Sequence, residues 1–212
     1  MSHDNDPMRE APAEEQALLH ALQFLAGERE GILAFDDNHI PIKFITDNET
    51  GRLIAPVPVA TFFSGEHVLF VPDESDDALQ LLISPQEIEE SAMTDRWLAY
   101  HVEAEHVRWA DIYIDSARHG PWVFDGDALT TPNPLRADES RLVKRINEHT
   151  QALADLCQAA MEMDVEDPVC VGIVPHGIYV RARFGIIMIA FETTCETAEQ
   201  VEHVIESLLD NA

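Results

Sequence analysis

The residues able to do chemistry fall into three groups. The first is histidine. His101 and His106 flank a turn with Glu103 and Glu105 between them, and His119 ends the next apolar stretch. Imidazoles beside carboxylates are metal-site material, but a metal needs ligands that converge, and this spacing neither makes nor excludes convergence. His149 sits beside Glu148 on a predicted helix face. His176 stands in Pro175-His176-Gly177, where the proline presets a turn and the glycine supplies a positive φ, so it reads as a turn residue with its ring in solvent. The second group pairs arginine with tryptophan: Arg96 with Trp97, Arg108 with Trp109, and Arg118 near Trp122. A guanidinium beside an indole stacks on a planar ligand, or the two pack on one another in a core or a dimer interface. Arg52, Arg96, Arg108 and Trp109 are the candidate binding residues for a small planar, anionic ligand. The third group is acidic. "DESDD" (73–77) and "EIEE" (87–90) lack the D-x-D-x-D-G order of a calcium loop and read as solvated loops. No P-loop, G-x-S-x-G or C-x-x-C motif occurs, so no catalytic residue and no metal ligand is assigned.

The elements that must position these groups are short. Glu14 to Leu25 has helical apolar spacing, and Gly27 is a plausible stop. Strands are predicted over 31–35, 40–46, 52–63, 67–71, 95–102, 107–115 and 122–126, with 77–83 either a strand or a short helix. Pro56 and Pro58 place the 52–63 strand at an edge, a bulge or a barrel corner, because proline cannot donate to a ladder. This spacing puts Trp97, Trp109 and Trp122 all on strands. Thr130 to Ser140, "TTPNPLRADES", reads as an exposed polar linker. Beyond it come one long helix over 139–163, a two-stranded hairpin over 169–191 turning at "PHG", and an amphipathic helix over 197–210 with Val201, Val204, Ile205 and Leu208 on one side. The order predicts an α+β chain: a small antiparallel β-barrel with an N-terminal helix and a C-terminal helix–hairpin–helix domain. The divisions expected are 1–30 (N-terminal helical segment), 31–134 (barrel) and 135–212 (C-terminal α+β domain).

Forty acidic residues against thirteen Lys and Arg give a formal net charge of −27. Such a surface repels nucleic acid and anionic lipid, which bind through basic residues that displace counterions. No apolar run is long enough to span a bilayer, and the polar, acidic start does not read as a secretory signal. Three widely spaced cysteines form neither a disulfide framework nor a zinc pattern and fit a reducing compartment, so a cytoplasmic location is expected.

Two stretches carry a resemblance. "TDNETGRLIAPVPVATFFSGEHVLFVPDE" is similar to the split-barrel proteins of the pyridoxamine-phosphate-oxidase-like, flavin-binding family: a glycine turn, a strand ending in Pro-Val, a turn and an apolar strand. "RINEHTQAL" followed by "VCVGIVPHGIYVRARFGIIMIAF" resembles the C-terminal domain attached to split barrels in haem-utilisation proteins. Asn147, Glu148 and His149 match its Asn-Glu-(Asp)-His box with one residue missing, and Gly172, Gly177 and Phe191 match its strands, while Val174 replaces the usual Asp. The resemblance implies that the barrel is an antiparallel split β-barrel, and that the protein is a homodimer with FMN, or haem, at the subunit interface. If haem were held, His101, His106, His119 or His149 would be the axial candidate. In flavin-binding members the turn after the apolar strand that corresponds to 67–71 supplies hydroxyls and a basic residue to the phosphate. Here Asp73, Glu74, Asp76 and Asp77 stand in that turn.

Three functional classes follow. One is a divergent member with a lost or altered FMN-phosphate site, acting as a binding or regulatory module. The others are an FMN-dependent oxidoreductase and a haem-binding or haem-degrading protein. The acidic turn favours the first.

Overall fold

The computed structural model describes residues 7–210, with side chains from 13 to 207, so the extreme termini of the expected segments, and Leu208 of the last helix face, lie outside the described side chains. The chain forms two compact units. The first comprises Met1–Thr46, Gly51–Ser91 and Glu105–Thr131; the second comprises Asp47–Thr50, Ala92–Ala104 and Pro132–Ala212. Two short pieces from between barrel strands are therefore counted with the C-terminal part, a division that a boundary drawn once along the chain does not describe.

The first unit holds helix α1 (Pro7–Gly27) and strands β1 (Glu30–Phe35), β2 (Asn38–Lys43), β3 (Ile45–Thr46), β4 (Leu53–Val57), β5 (His67–Val71), β6 (Leu79–Ile88), β7 (Arg108–His119) and β8 (Trp122–Asp125). They form a curled, eight-stranded antiparallel sheet in the order β2-β1-β5-β6-β7-β4-β3, with β8 on β7: a split-barrel-like half-barrel in an α+β chain. Alternation builds its core. Leu33 and Phe35, Leu53, Ala55 and Val57, Leu69 and Val71, Leu79, Leu81 and Ile83, and Ala110, Ile112 and Ile114 all point inward, and α1 adds Ala21 and Leu25. The prolines fall where a lost donor costs least. β3 pairs with β4 only at Leu53 and Ile54, so Pro56 has β7 on one side and no ladder on the other. Pro58 ends the strand, and a 3-10 turn (Val59–Phe63) follows.

The second unit holds α2 (Ala92–His101), α3 (Glu139–Asn147), α4 (Thr150–Met161), β9 (Val169–Val174), β10 (Gly177–Ala182), β11 (Gly185–Ala190) and α5 (Ala198–Asp210). Its sheet is β11-β10-β9, antiparallel throughout. Leu142, Ile146, Leu153, Cys157, Ile173, Ile178, Val180, Ile189, Val201 and Ile205 make its core.

Four expectations need correction. Residues 95–101 lie on a helix, not a strand, and Val102 lies just beyond it: Thr94, Trp97 and Tyr100 are its buried residues, three apart in sequence, and this places Trp97 on α2. The predicted long helix is two, broken at Glu148-His149, where His149 takes φ −113° and ψ 57°. The break falls where the Asn147 amide turns to bond both backbone groups of Cys170, each at 2.9 Å. Residues 169–191 form three strands, because Arg183-Phe184 makes a second turn into β11. The predicted exposed linker is anchored: Asn133 and Leu135 within it are buried.

Candidate binding site

The β4–β7 ladder carries three of the four candidate residues. It pairs Leu53 with Ile112, Pro56 with Trp109 and Val57 with Arg108, so Arg52 and Arg108 lie at opposite ends of it. On β7 the inward positions are Ala110, Ile112 and Ile114, which leaves Trp109, Asp111 and Tyr113 on the other face, each half-buried. Arg52 donates to Asp111 at 3.0 Å and lies 5.6 Å from the centroid of the Tyr113 ring. The Tyr113 hydroxyl donates to Asp127 at 2.7 Å, and this bond, more than anything else, raises its pKa. At the other end Arg108 pairs with Glu87 at 3.0 Å. Both arginines thus meet carboxylates of their own face.

The turn between β5 and β6 holds Asp73, Glu74, Asp76 and Asp77, all exposed. The Asp73 carboxylate accepts from the Ser75 amide at 3.0 Å, closing the turn on itself, and Glu74 contacts the His39 ring. Nearby, burial raises the pKa of Glu28, and the negative charges of Glu30 and Asp73 push it the same way, while Arg29 opposes them. A phosphate dianion is held by cations and N–H or O–H donors; a turn of four carboxylates repels it, so these residues do not fit the phosphate of FMN.

Arg96, the fourth candidate, belongs to the second unit and to a buried polar network. Its Nη2 donates to Glu139 Oε1 at 2.8 Å, and Nη1 contacts Oε2 to complete a bidentate pair. It also donates to the Tyr100 hydroxyl at 3.0 Å. Glu139 accepts from the Asn48 amide at 2.6 Å and from the backbone N–H of Ile173 at 3.1 Å. Asn133 donates to the Ile173 carbonyl at 2.7 Å, and its own backbone N–H donates to the Asn48 carbonyl at 2.9 Å. Burial opposes the Arg96 charge, but the Glu139 bond and neighbouring charge outweigh it and raise its pKa. β9 is the outer strand of its sheet, and its unpaired backbone groups are satisfied by side chains: Asn147 at Cys170, Glu139 and Asn133 at Ile173. Across the sheet, a Cβ on Gly172 would lie 1.8 Å from the Tyr100 hydroxyl, so the bare glycine makes room for that ring.

The histidines do not converge. His101 packs on Trp97 (ring centroids 4.6 Å apart), His119 stacks on His20 (5.0 Å), and His149 is exposed at the head of α4. His106 is half-buried. His176 is half-buried rather than solvent-facing: the turn is tied back where the His176 carbonyl accepts from the Phe191 N–H at 2.8 Å, and its ring lies 3.3 Å from the Thr194 hydroxyl. Among the described residues no group of three or more His, Cys, Asp or Glu side chains is arranged to hold a metal ion. Nor is any helix there long and apolar enough to cross a membrane.

Sequence reasoning did not single out Asn48, Tyr100, Asn133 or Glu139. The one signal available was Asn147 in the Asn-Glu-His box, whose amide proves to be an edge-strand cap.

No family model matches the chain, and no curated protein matches it. Among solved structures it is similar to a protein of unknown function from Agrobacterium tumefaciens str. C58, with a TM-score of 0.70 at 15% identity over 92% of this chain and 96% of that one. A haem-binding protein from Mycobacterium smegmatis aligns over the same shares at 13% identity with a TM-score of 0.40. The first of these shows the fold: an α+β chain built on a split-barrel-like sheet.

Proposed function

We propose that this protein is a divergent relative of the flavin-binding split barrels that acts as a binding or regulatory module and has lost the ordinary FMN-phosphate site. The carrying observation is the exposed acidic turn Asp73-Glu74-Ser75-Asp76-Asp77, closed on itself by the Asp73–Ser75 bond where a phosphate cradle is expected. The ion pairs support the same reading. Arg52 and Arg108 are engaged by Asp111 and Glu87, so an anion arriving at β7 must displace a carboxylate already in place. The proposal extends to assembly: two copies associate through the barrel unit, which presents Val59, Phe63, Leu82, Val107 and Val123 to solvent. Between chains this acidic, association tightens with added salt, because screening relieves like-charge repulsion.

The test is optical. The purified protein is titrated with FMN, followed by flavin fluorescence, and with haemin, followed by absorbance. The reading expects FMN to bind no better than about micromolar, a free energy of about −8 kcal/mol, and expects no saturable shift of the haemin Soret band. Submicromolar FMN affinity restores the oxidoreductase class, and stoichiometric haemin binding restores the haem class.

A further inference from the structure

We propose that the stacked imidazoles of His20 and His119 form a proton-responsive clasp, which holds α1 against the end of β7 at neutral pH and loosens it in mild acid. The two ring centroids lie 5.0 Å apart with the planes inclined by only 27°. Phe24, one helical turn beyond His20, places its ring 5.2 Å from the same imidazole, so α1 grips His119 with two aromatic side chains. Deeper on the helix, Ala21 and Leu25 are buried in the barrel core, and Leu18, Leu22 and Phe24 pack against its edge. His119 is the last residue of β7, opposite Trp122 of β8.

Neutral imidazoles stack without penalty. Two imidazolium rings at this separation repel, and because His119 is half-buried the repulsion is screened less than it is between two fully exposed rings. The charged and titratable groups placed against His119 are few. α1 brings His20, and the turn before β6 brings Asp77, whose carboxylate favours a proton on the ring. β8 brings Trp122, and the neighbouring Arg118 turns its Nε toward the Gly120 carbonyl at 3.4 Å. Burial and then His20 outweigh Asp77, and the pKa of His119 falls below its ordinary 6.5. The sign follows. The clasped state resists the proton that the open state accepts, so closure is at full strength above about pH 6.5 and weakens as pH falls toward the depressed pKa. Opening uncovers the apolar stripe of α1 together with the rim of the barrel core, a surface that neutral pH keeps hidden. This clasp stands independently of the reading of the acidic turn.

The test is hydrogen exchange by mass spectrometry on the full chain at about pH 7.5 and about pH 5.5, on either side of the ordinary histidine value but above most carboxylates. Rates are corrected for the intrinsic pH dependence of exchange. Peptides within 13–27 lose protection by about three- to tenfold at the lower pH, while β10 peptides keep theirs. His119→Gln removes the titrating ring and flattens the response. His20→Gln, at an exposed position that folding tolerates, removes the second ring and reduces the response, leaving only the part that burial of His119 supplies. Protection of α1 that is the same at both pH values overturns the proposal, as does a response of full size that persists in His20→Gln.

Discussion

The two units are stabilised by different means. The barrel unit is an apolar core wrapped by its own ladder: neighbouring strands pair, alternate residues point inward, and its ion pairs, Arg52–Asp111 and Arg108–Glu87, lie at part-exposed positions. The second unit has an apolar core of its own, but three remote pieces of chain meet there through buried and half-buried polar groups. Asn48, Arg96 and Tyr100, Asn133 and Glu139 all converge on the outer edge of β9. The comparison teaches that α2 and residues 47–50 are sequence neighbours of barrel strands, yet their hydrogen bonds belong to the C-terminal sheet.

The sharpest way to break this contrast is to remove one partner of the buried pair. Glu139→Ala leaves the Arg96 guanidinium, the Asn48 amide and the Ile173 N–H without their acceptor, and a loss of about 3–5 kcal/mol is expected in urea unfolding. Arg52→Ala and Arg108→Ala, at part-exposed pairs of the barrel, should each cost no more than about 1 kcal/mol. Equal losses from the two kinds of pair would erase the distinction.

A smaller effect tests the Gly172–Tyr100 contact. Gly172→Ala places a methyl carbon 1.8 Å from the Tyr100 hydroxyl, and overpacking of about 1–3 kcal/mol is expected. Tyr100→Phe removes that oxygen, so the double variant should recover part of the loss, and a double-mutant cycle measures the coupling. Purely additive losses would mean that the ring and the glycine do not meet.

The thiols give a readout confined to one side of the comparison, since Cys157, Cys170 and Cys195 are all buried and all in the second unit. Burial pushes the pKa of Cys157 up to about 11 and that of Cys170 to about 12. Both stay protonated across the neutral range, and alkylation by iodoacetamide at about pH 8 should proceed only as this unit opens. Glu139→Ala should accelerate it, whereas Arg108→Ala should leave it unchanged.

The smallest effect is a gain. Val102 takes φ 67° just beyond α2, a left-handed conformation that a β-branched residue adopts at a cost. Val102→Gly should stabilise the second unit by about 1 kcal/mol, visible as slower alkylation of the same thiols.

The same contrast explains what could be read from the chain. Barrel strands announce themselves by short apolar runs between turn residues, and the small antiparallel barrel was read from that, while its identification as a split barrel came from the resemblance. α2 was missed because Trp97-Leu98-Ala99-Tyr100 is a short apolar, aromatic run, which suits a buried strand as well as a helix; what decides it is that Thr94, Trp97 and Tyr100 share one buried helical face. The break between α3 and α4 carries no proline or glycine, and the Asn147 bonds to Cys170 that accompany it join residues far apart in sequence. Glu139 stood only as the first residue of the predicted long helix, and Asn133 as part of a polar linker between prolines. Their roles are long-range: each satisfies a backbone group of Ile173, and local sequence carries no mark of such a partner. Arg52 and Arg108 were legible as candidates, but of the carboxylates that engage them Asp111 was not singled out and Glu87 read only as part of a solvated acidic loop.

Native-state hydrogen exchange in rising, sub-denaturing urea addresses most directly the claim that α2 belongs with the C-terminal sheet. Amides of Ala92–His101 should open with the free energy and urea dependence of β9 and β10, although β6 and β7 flank them in sequence. Opening of α2 together with β6 and β7, at a free energy distinct from that of β9 and β10, would contradict the account.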